Sequence, residues 1–546
     1  MKKIAILIAF IAFALSSGIA QVATDTLPGT ITSTYTLNSS KRYLMLGEVH
    51  VKSGGNIVIP AGTRIFGEKT SKGSLIIERG GKINAIGTAN NPIIFTSAFP
   101  AGNRNAGDWG GIVLLGKAKI NTVTGADTAS IEGYATSIYY GGQDDNDSSG
   151  VMQYVRIEYA GVALAPNNEI NGLTFGGVGK RTVIDHIMVS YSGDDSFEWF
   201  GGNVNCKYLI AYNGIDDEFD TDNGFRGRCQ FLLSIKHPNI ADISGSNGFE
   251  SDNNAAPNFN APRTQAIFSN VTFIGSKKYD TSTVDPNHKR GMHIRRNSLQ
   301  NVYNTIFMGY PTGILFDGTG VANACNGDTV KFISNIIAGI SGKNFDTAAM
   351  SSNGFNATTW ALNSSRLNDT LNTNDQVMLT NAYGGYITNN WNGSMFIPLA
   401  GSPCLTNATN VNAVDTYFDA VDYRGAFKTN NWATGWTNFR PDTVNYQTVG
   451  ISQISTLIPG EYKLEQNYPN PFNPTTKITF AITKPDFVSL KVYDITGKEV
   501  AQLVSEKLQT GTYSYEFNAS VLSSGIYFYT LKSNNFVSTK KMVLVK

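Results

Sequence analysis

The sequence predicts an all-β chain: a long solenoid of the parallel β-helix type followed by a small antiparallel β-sandwich. Three observations carry this. From about Leu44 short apolar runs alternate with Gly- and Asn-containing turns, a motif recurs at coil-length spacing in the middle of the chain, and the composition changes near residue 460. Helical periods rich in Ala, Leu and Glu are scarce beyond the first twenty residues, whereas Gly supplies 55 of 546 residues. Strands separated only by such turns leave no room for helices between them.

The chain opens with Lys2 and Lys3, an apolar run from Ile4 to Leu15, and small residues through Gly18 and Ala20. That order is the order of a signal peptide. The run is too short to span a hydrocarbon core of about 30 Å, so residues 1–20 are expected to be removed. Gln21 follows, and the first cysteine is Cys206, so no lipoprotein cysteine is available. No later stretch is long and apolar enough for a membrane span. A formal charge of +1 with 16% charged residues argues against a nucleic-acid surface, which needs clustered cations to neutralise phosphates. The four cysteines, Cys206, Cys229, Cys325 and Cys404, allow three pairings and show no CxxC spacing for zinc.

The body, residues 21–441, repeats. Val51, then Ile57 and Ile59, then Leu75 to Ile77 and Ile83 to Ile86 mark the first strands, each followed by a Gly-containing turn. The segment Val189 to Gly202 aligns with Ile210 to Gly224, which places Phe197 and Phe219 in one slot 22 residues apart. Phe249 and Met292 continue that slot, and recurrence at about one coil is the signature of a solenoid. Successive strand residues point to opposite faces. Phe197, Phe219, Phe249, Met292 and Trp199 therefore point inward. Glu198, Asp220, Glu250 and His293 form one outward column, and Phe200, Asp222, Asp252 and Arg295 form the next. Asn270, Asn304 and Asn335 open later copies and are expected to stack on one another. The segment 419–441, rich in aromatics, is expected to cap the open end.

Asp194, Asp195, Glu198, Asp216, Asp217, Glu218, Asp220 and Asp222 crowd the central coils against the single base Lys207. Coils stack about 4.8 Å apart, and like charges so close repel appreciably once partly desolvated. Three readings offset that repulsion. The carboxylates form an ion-paired ladder with Arg226, Arg228, His293 and Arg295; or Asp194, Asp195, Asp216, Asp217, Asp222 and Asp252 hold Ca²⁺, which takes six to eight oxygens; or Glu198, Asp220, Glu250, His293 and Arg295 carry out acid–base chemistry on a polysaccharide. Turn-forming Asp competes with the metal reading at the residues beside Gly. No GxSxG, HExxH or Walker motif is present.

The repeated coils, with Gly107 to Ile112, Asp194 to Gly202 and Gly245 to Asn253, make the body similar to right-handed parallel β-helix proteins of the pectin-lyase-like class. The resemblance covers about residues 40–400 and implies the fold, not an activity. No lyase catalytic base can be placed in this sequence.

A polar linker, residues 442–459, precedes the tail. Residues 460–546 run through Leu464 to Pro474 with its string of prolines, the turn Tyr493 to Gly497, the strand Gly525 to Leu531 and the terminal Lys540 to Lys546. Strand alternation alone implies an antiparallel, immunoglobulin-like sandwich of about seven strands. Together these motifs resemble the type A sorting domain of type IX secretion. In that family the domain directs crossing of the outer membrane, and a sortase then removes it and frees the cargo or links it to anionic lipopolysaccharide. The resemblance implies a secreted or cell-surface protein; its β-helix is expected to serve adhesion, glycan binding or a structural role, with a polysaccharide lyase or glycoside hydrolase as the alternative. Deletion of residues 464–546 is expected to trap the chain inside the outer membrane; normal appearance of the truncated protein in the medium or on the surface, followed by fractionation and immunoblot, would sink the sorting assignment.

Overall fold

A computed structural model describes residues 23–545 apart from 135–137, 166–167, 280, 348–353, 389, 445, 447–450, 456–457 and 520–521. The expected signal peptide lies outside them. The chain divides into two compact units, Met1–Asp442 and Thr443–Lys546. No helix among the described residues is long and apolar enough to cross a membrane.

Two long parallel sheets form the first unit. One has 11 strands that pair in strict chain order, from Thr30–Ile31 to Phe345–Asp346, and the other has 17. In the 11-stranded sheet Leu173, Phe197, Phe219, Phe249, Met292 and Ile314 share one register position. All six are fully buried, as the inward column read from the 22-residue spacing requires. Trp199 also points inward, stacked between Phe175 and Phe225 with ring centroids 5.2 and 5.3 Å away.

The strands of the larger sheet bend at one repeated place. Tyr154, His186, Tyr208, Phe231, Asn270, Asn304 and Ser334 all have φ between 50 and 64°, a left-handed conformation that L-residues adopt at a cost. Strand pairing on either side places them in register as one corner column. The first four offset the cost by stacking, with centroid separations of 4.3, 4.4 and 5.1 Å. The asparagines behave differently from expectation. Asn270 donates to the carbonyls of Tyr423 and Gly425, and Asn304 exchanges two hydrogen bonds with Thr409. They bind the returning chain and not each other. Asn335 lies one residue past the corner, where Ser334 sits, and bonds instead to Thr305 and Val302.

That returning chain corrects the expected cap. Residues 419–441 do not close an end; they belong to a strap that climbs back along the outside of the 17-stranded sheet. The Ala426 N–H donates to the Thr272 hydroxyl oxygen, Trp432 and Trp436 pack on Tyr208 and His186 at 5.3 and 5.5 Å, and the Pro441 carbonyl accepts from Arg104 at 2.7 Å. Beneath the strap, the outward side chains Met188, Ile210, Leu233, Ile274 and Ile306 form a second core with Phe427, Trp436 and Phe439. The far end of the solenoid is covered by the short helix Ala357–Ala361, whose Trp360 packs on Phe316 and donates to the Cys325 carbonyl. The four cysteines are free, buried thiols; Cys206 and Cys229 sit opposite each other in register without a bridge.

The second unit packs two four-stranded antiparallel sheets around Ile478, Phe480, Leu490, Val492, Tyr529 and Leu531. Ile451–Ser455, expected within a linker, is a strand here and pairs with Gly511–Asn518.

One ion pair of the first unit is wholly enclosed. Lys236 and Glu218 are both 0% exposed, 3.1 Å apart, and the hydroxyl of Tyr386, in the short helix Gly384–Thr388, donates to the Lys236 carbonyl. Removing one partner strands the other charge in a dry interior, at a cost of about 3–5 kcal/mol. Lys236→Met is expected to lose that much stability in a denaturant melt, and Lys236→Met with Glu218→Leu is expected to recover most of it.

Candidate functional site

The outer face of the 11-stranded sheet is divided along its length. Over the early coils Ile76, Val113 and Leu115 are covered by Ile120, Ile131, Ile138 and Tyr140 of an excursion between strands. Phe200, expected as an aromatic on the acidic face, belongs to this covered patch; it is buried, with Tyr140 at 6.0 Å. Past that cover the outward column reads Thr174, Glu198, Asp220, Glu250, His293 and Leu315 in register. The strand parity that fixes the inward aromatics thus delivers the expected outward column. It is recessed, however, and not a solvated ridge: Glu198 and His293 are each only 7% exposed.

The two ends of this column differ in charge. At the later coils Arg295 pairs with Glu250 at 2.8 Å and with Asp252 at 2.8 Å, and Arg296 takes the other Asp252 oxygen at 2.7 Å. Asp252, expected as a metal ligand, is therefore occupied by two guanidiniums. His293 stands 3.1 Å from Asp317 and 3.7 Å from Glu250. Burial pushes its imidazole down, against the Asp317 hydrogen bond that raises it. This end is an ion-pair network.

At the earlier coils no cationic side chain among the described residues is paired with Asp195, Glu198 or Asp220, whose oxygens lie within 4.8 Å of one another. A second group, Asp194, Asp195 and Asp216, meets the same limit. Burial, then the neighbouring Asp194, Asp217 and Asp220, push Asp195 well up. Burial, then Glu132 and Asp220, do the same for Glu198, and burial, then Asp217 and Asp252, for Asp220. Burial and Asp217 raise Asp216 to about 7, despite Ser244 and Lys236. Asp220 Oδ1 and Asp216 Oδ1 are buried without a hydrogen-bond partner. An all-carboxylate set with oxygens to spare fits a hard divalent cation such as Ca²⁺, which supplies positive charge and accepts six to eight oxygens.

Asp217 and Asp222 stand outside both groups. Asp217 is engaged by Asn247 through its backbone and side-chain amides, and Asp222 accepts from the Asn223 amide. A ladder at the turn explains this. Asp195 accepts the Asp217 N–H at 2.8 Å, and Asp217 accepts that of Asn247 on the following coil. Asn171, two residues before the core residue Leu173 as Asp195 is before Phe197, donates to Glu198. Asn171, Asn247, Asp317, Arg296 and Glu132 were not among the sequence-read candidates. The two asparagines carried a usable signal: each lies two residues before a core residue of the inward column, as Asp195 and Asp217 do.

The raised carboxyls set a pH dependence. Burial, then Asp252, lift Asp222 to about 7, against Asn223 and the Arg296 and Arg295 guanidiniums. A carboxyl that holds its proton more tightly folded than unfolded favours the fold below its unfolded range, about 4, and that advantage is lost as pH rises through the folded value. In chelator the melting temperature is expected to fall as pH rises from about 4 to beyond 7, with Asp222→Asn flattening the slope; a melt that is level or rising over this window contradicts it.

Two family models match the chain. Residues 29–394 match the pectate-lyase-like β-helix domain, and residues 466–546 match the secretion system C-terminal sorting domain. No curated protein matches it. Among solved structures, the full-length tailspike protein 2 of Escherichia coli O157:H7 bacteriophage CAB120 aligns at 12% identity over 92% of this chain and 64% of that one, with a TM-score of 0.16. The chain therefore spans less than two thirds of the tailspike it is aligned with. The sorting domain marks export to the extracellular space or the cell surface and engagement of the type IX secretion machinery. With its coils, its two parallel sheets and its family match over residues 29–394, the chain belongs to the pectate-lyase-like β-helix domain family.

Proposed function

We infer that this is an exported glycan-binding protein whose β-helix holds Ca²⁺ on its carboxylate ledge and engages extracellular polysaccharide there. The observation that supports it best is the Asp195, Glu198 and Asp220 group: three recessed carboxylates brought within 4.8 Å by two successive coils, with a buried Asp220 oxygen left unpartnered. A cation in such a group neutralises the repulsion and keeps coordination positions for sugar hydroxyls or carboxylates. The sorting domain delivers the body to the place where such polymers are met. Its cleavage by a sortase, with release or linkage to anionic lipopolysaccharide, completes the proposed route.

A second reading has its own support. Glu198 and Asp220 are adjacent in register and both raised, and two carboxyls in that state suit an acid and a base in polysaccharide cleavage. His293 and Arg295 lie further along the same face. One experiment separates the readings. The full chain is run through acidic and neutral polysaccharides by affinity electrophoresis, with calcium or chelator, while products are followed by reducing-end and unsaturation assays. Calcium-dependent retardation without product is expected, and Asp220→Ala is expected to weaken it by about tenfold or more, roughly 1.4 kcal/mol. Product formed by the wild type and lost in Asp220→Ala establishes the enzyme instead; retardation indifferent to chelator overturns the role of calcium.

A further inference from the structure

Cys206 and Cys229 occupy one inward position on successive coils of the 17-stranded sheet. Read along the sheet, that position is Ile184, Cys206, Cys229, Phe268, Val302 and Phe332. All six are buried in the interior core. The column is large and apolar except at two neighbouring coils, and there both residues are cysteine. We propose that the exported protein carries a disulfide between Cys206 and Cys229 that closes one complete coil, while Cys325 and Cys404 stay as thiols. Such a bond needs neither ion nor glycan and stands apart from the function proposed for the ledge.

Four cysteines allow three pairings, and the fold favours one. Parallel neighbours in a sheet stand about 4.8 Å apart, inside the roughly 4.4–6.8 Å that separates the Cα atoms of a disulfide. Side chains at one register position on one face run side by side, so the two Cβ directions do not diverge. Cys325 lies in the helix Thr319–Asn326, which follows the coil of Val302, two coils beyond Cys229. Cys404 belongs to the second core, outside the 17-stranded sheet, so that sheet stands between it and the other three.

Export, marked by the sorting domain, takes the chain to compartments where disulfides form and persist. The electrons go to a disulfide-exchange donor, either an oxidised dithiol protein or oxidised glutathione. One cysteine thiolate attacks the donor disulfide, and a mixed disulfide forms as one donor thiolate leaves. The second cysteine thiolate then attacks the sulfur of the first; the S–S bond closes and the second donor thiolate leaves. Two protons pass from the cysteines to the donor thiols. In the folded chain, burial and then the facing Cys206 thiol push the Cys229 thiol well up, and a buried thiol that keeps its proton is a poor nucleophile. The bond is therefore made before the coils stack. It encloses residues 207–228, which run from the strand Asn205–Tyr212 through Phe219–Asp222 to Arg228–Ile235. That coil carries Asp216, Asp217, Glu218, Asp220 and Asp222, whose mutual repulsion opposes its folding, and a cross-link across it limits the unfolded chain at that place.

The test uses the full chain recovered from an oxidising periplasm and unfolded in denaturant with a thiol-alkylating reagent present. Intact mass is expected to show two alkylated cysteines per chain before reduction and all four after it. Trypsin cuts after Arg181, Lys207, Arg228 and Lys236, so the non-reduced digest is expected to contain Thr182–Lys207 joined to Cys229–Lys236 and to lose that species on reduction. Cys325→Ala and Cys404→Ala are each expected to keep the joined pair. The count is made on unfolded wild-type chains, so it decides whether or not a variant folds. Four alkylated cysteines before reduction, or a link that involves Cys325, Cys404 or a second chain, overturns the proposal. A folded chain prepared under reductant is expected to keep its four thiols in oxidised glutathione and to melt a few degrees below the linked form. Ready oxidation of that folded chain overturns the order of events, and equal melting overturns the bracing of the coil.

Discussion

Every coil of the body must turn where the coil beneath it turned. That constraint is met at the corner column from Tyr154 to Ser334, where non-glycine residues hold positive φ in register. A left-handed L-residue is unfavourable alone, so the column persists because neighbouring coils support it by ring stacking at Tyr154, His186, Tyr208 and Phe231, and the returning chain supports it by hydrogen bonds to Asn270 and Asn304. The same column is the seam on which the strap docks. Trp432 and Trp436 lie over its rings, and Tyr423, Gly425 and Thr409 bond to its asparagines. Bend, stack and strap are one cooperative arrangement.

Parity and spacing made the interior legible. Once Phe197 and Phe219 occupy one slot, alternation alone places Glu198 and Asp220 outside, and neither step needs tertiary knowledge. What was not legible depends on segments distant in the chain. Phe200 reads as outward-facing, and it is, but an excursion some sixty residues earlier covers it with Tyr140. The strap is the larger case. Its docking surface was visible in principle, because Ile187 to Val189, Leu209 to Ala211 and Leu232 to Leu233 are unbroken apolar runs, and a strand apolar on both faces is covered on both. Nothing in those runs says that the cover is residues 419–441. The displaced Asn335 has a simpler cause: its copy of the motif is one residue shorter, so alignment by its asparagine and alignment by strand register disagree.

Charge follows the same logic at the ledge. A net charge of +1 describes the chain as a whole and conceals a gradient along one face, from carboxylates without a cation between them at Glu198 to a closed network of Arg295, Arg296, Glu250 and Asp252. The sequence placed Asp252 and Asp222 in one outward column and so made them equivalent. The structure separates them, because two consecutive arginines leave the next coil beside Asp252, and among the described residues no basic side chain is paired with Asp222. Distinguishing them required knowing which coil follows which at each turn.

The ledge cannot be explained by packing alone. Asp195 and Asp217 have a structural task, since each receives the N–H of the next coil. Glu198 and Asp220 have no such task. They occupy outward positions where Thr174 and Leu315 are accommodated in neighbouring coils of the same column, and neutral residues there would remove the repulsion that pushes all these carboxyls up. A fold selected only for stability has no reason to concentrate negative charge where water is scarce. The divalent cation proposed for this ledge would stabilise the ionised form with the oxygen ligands these carboxylates supply.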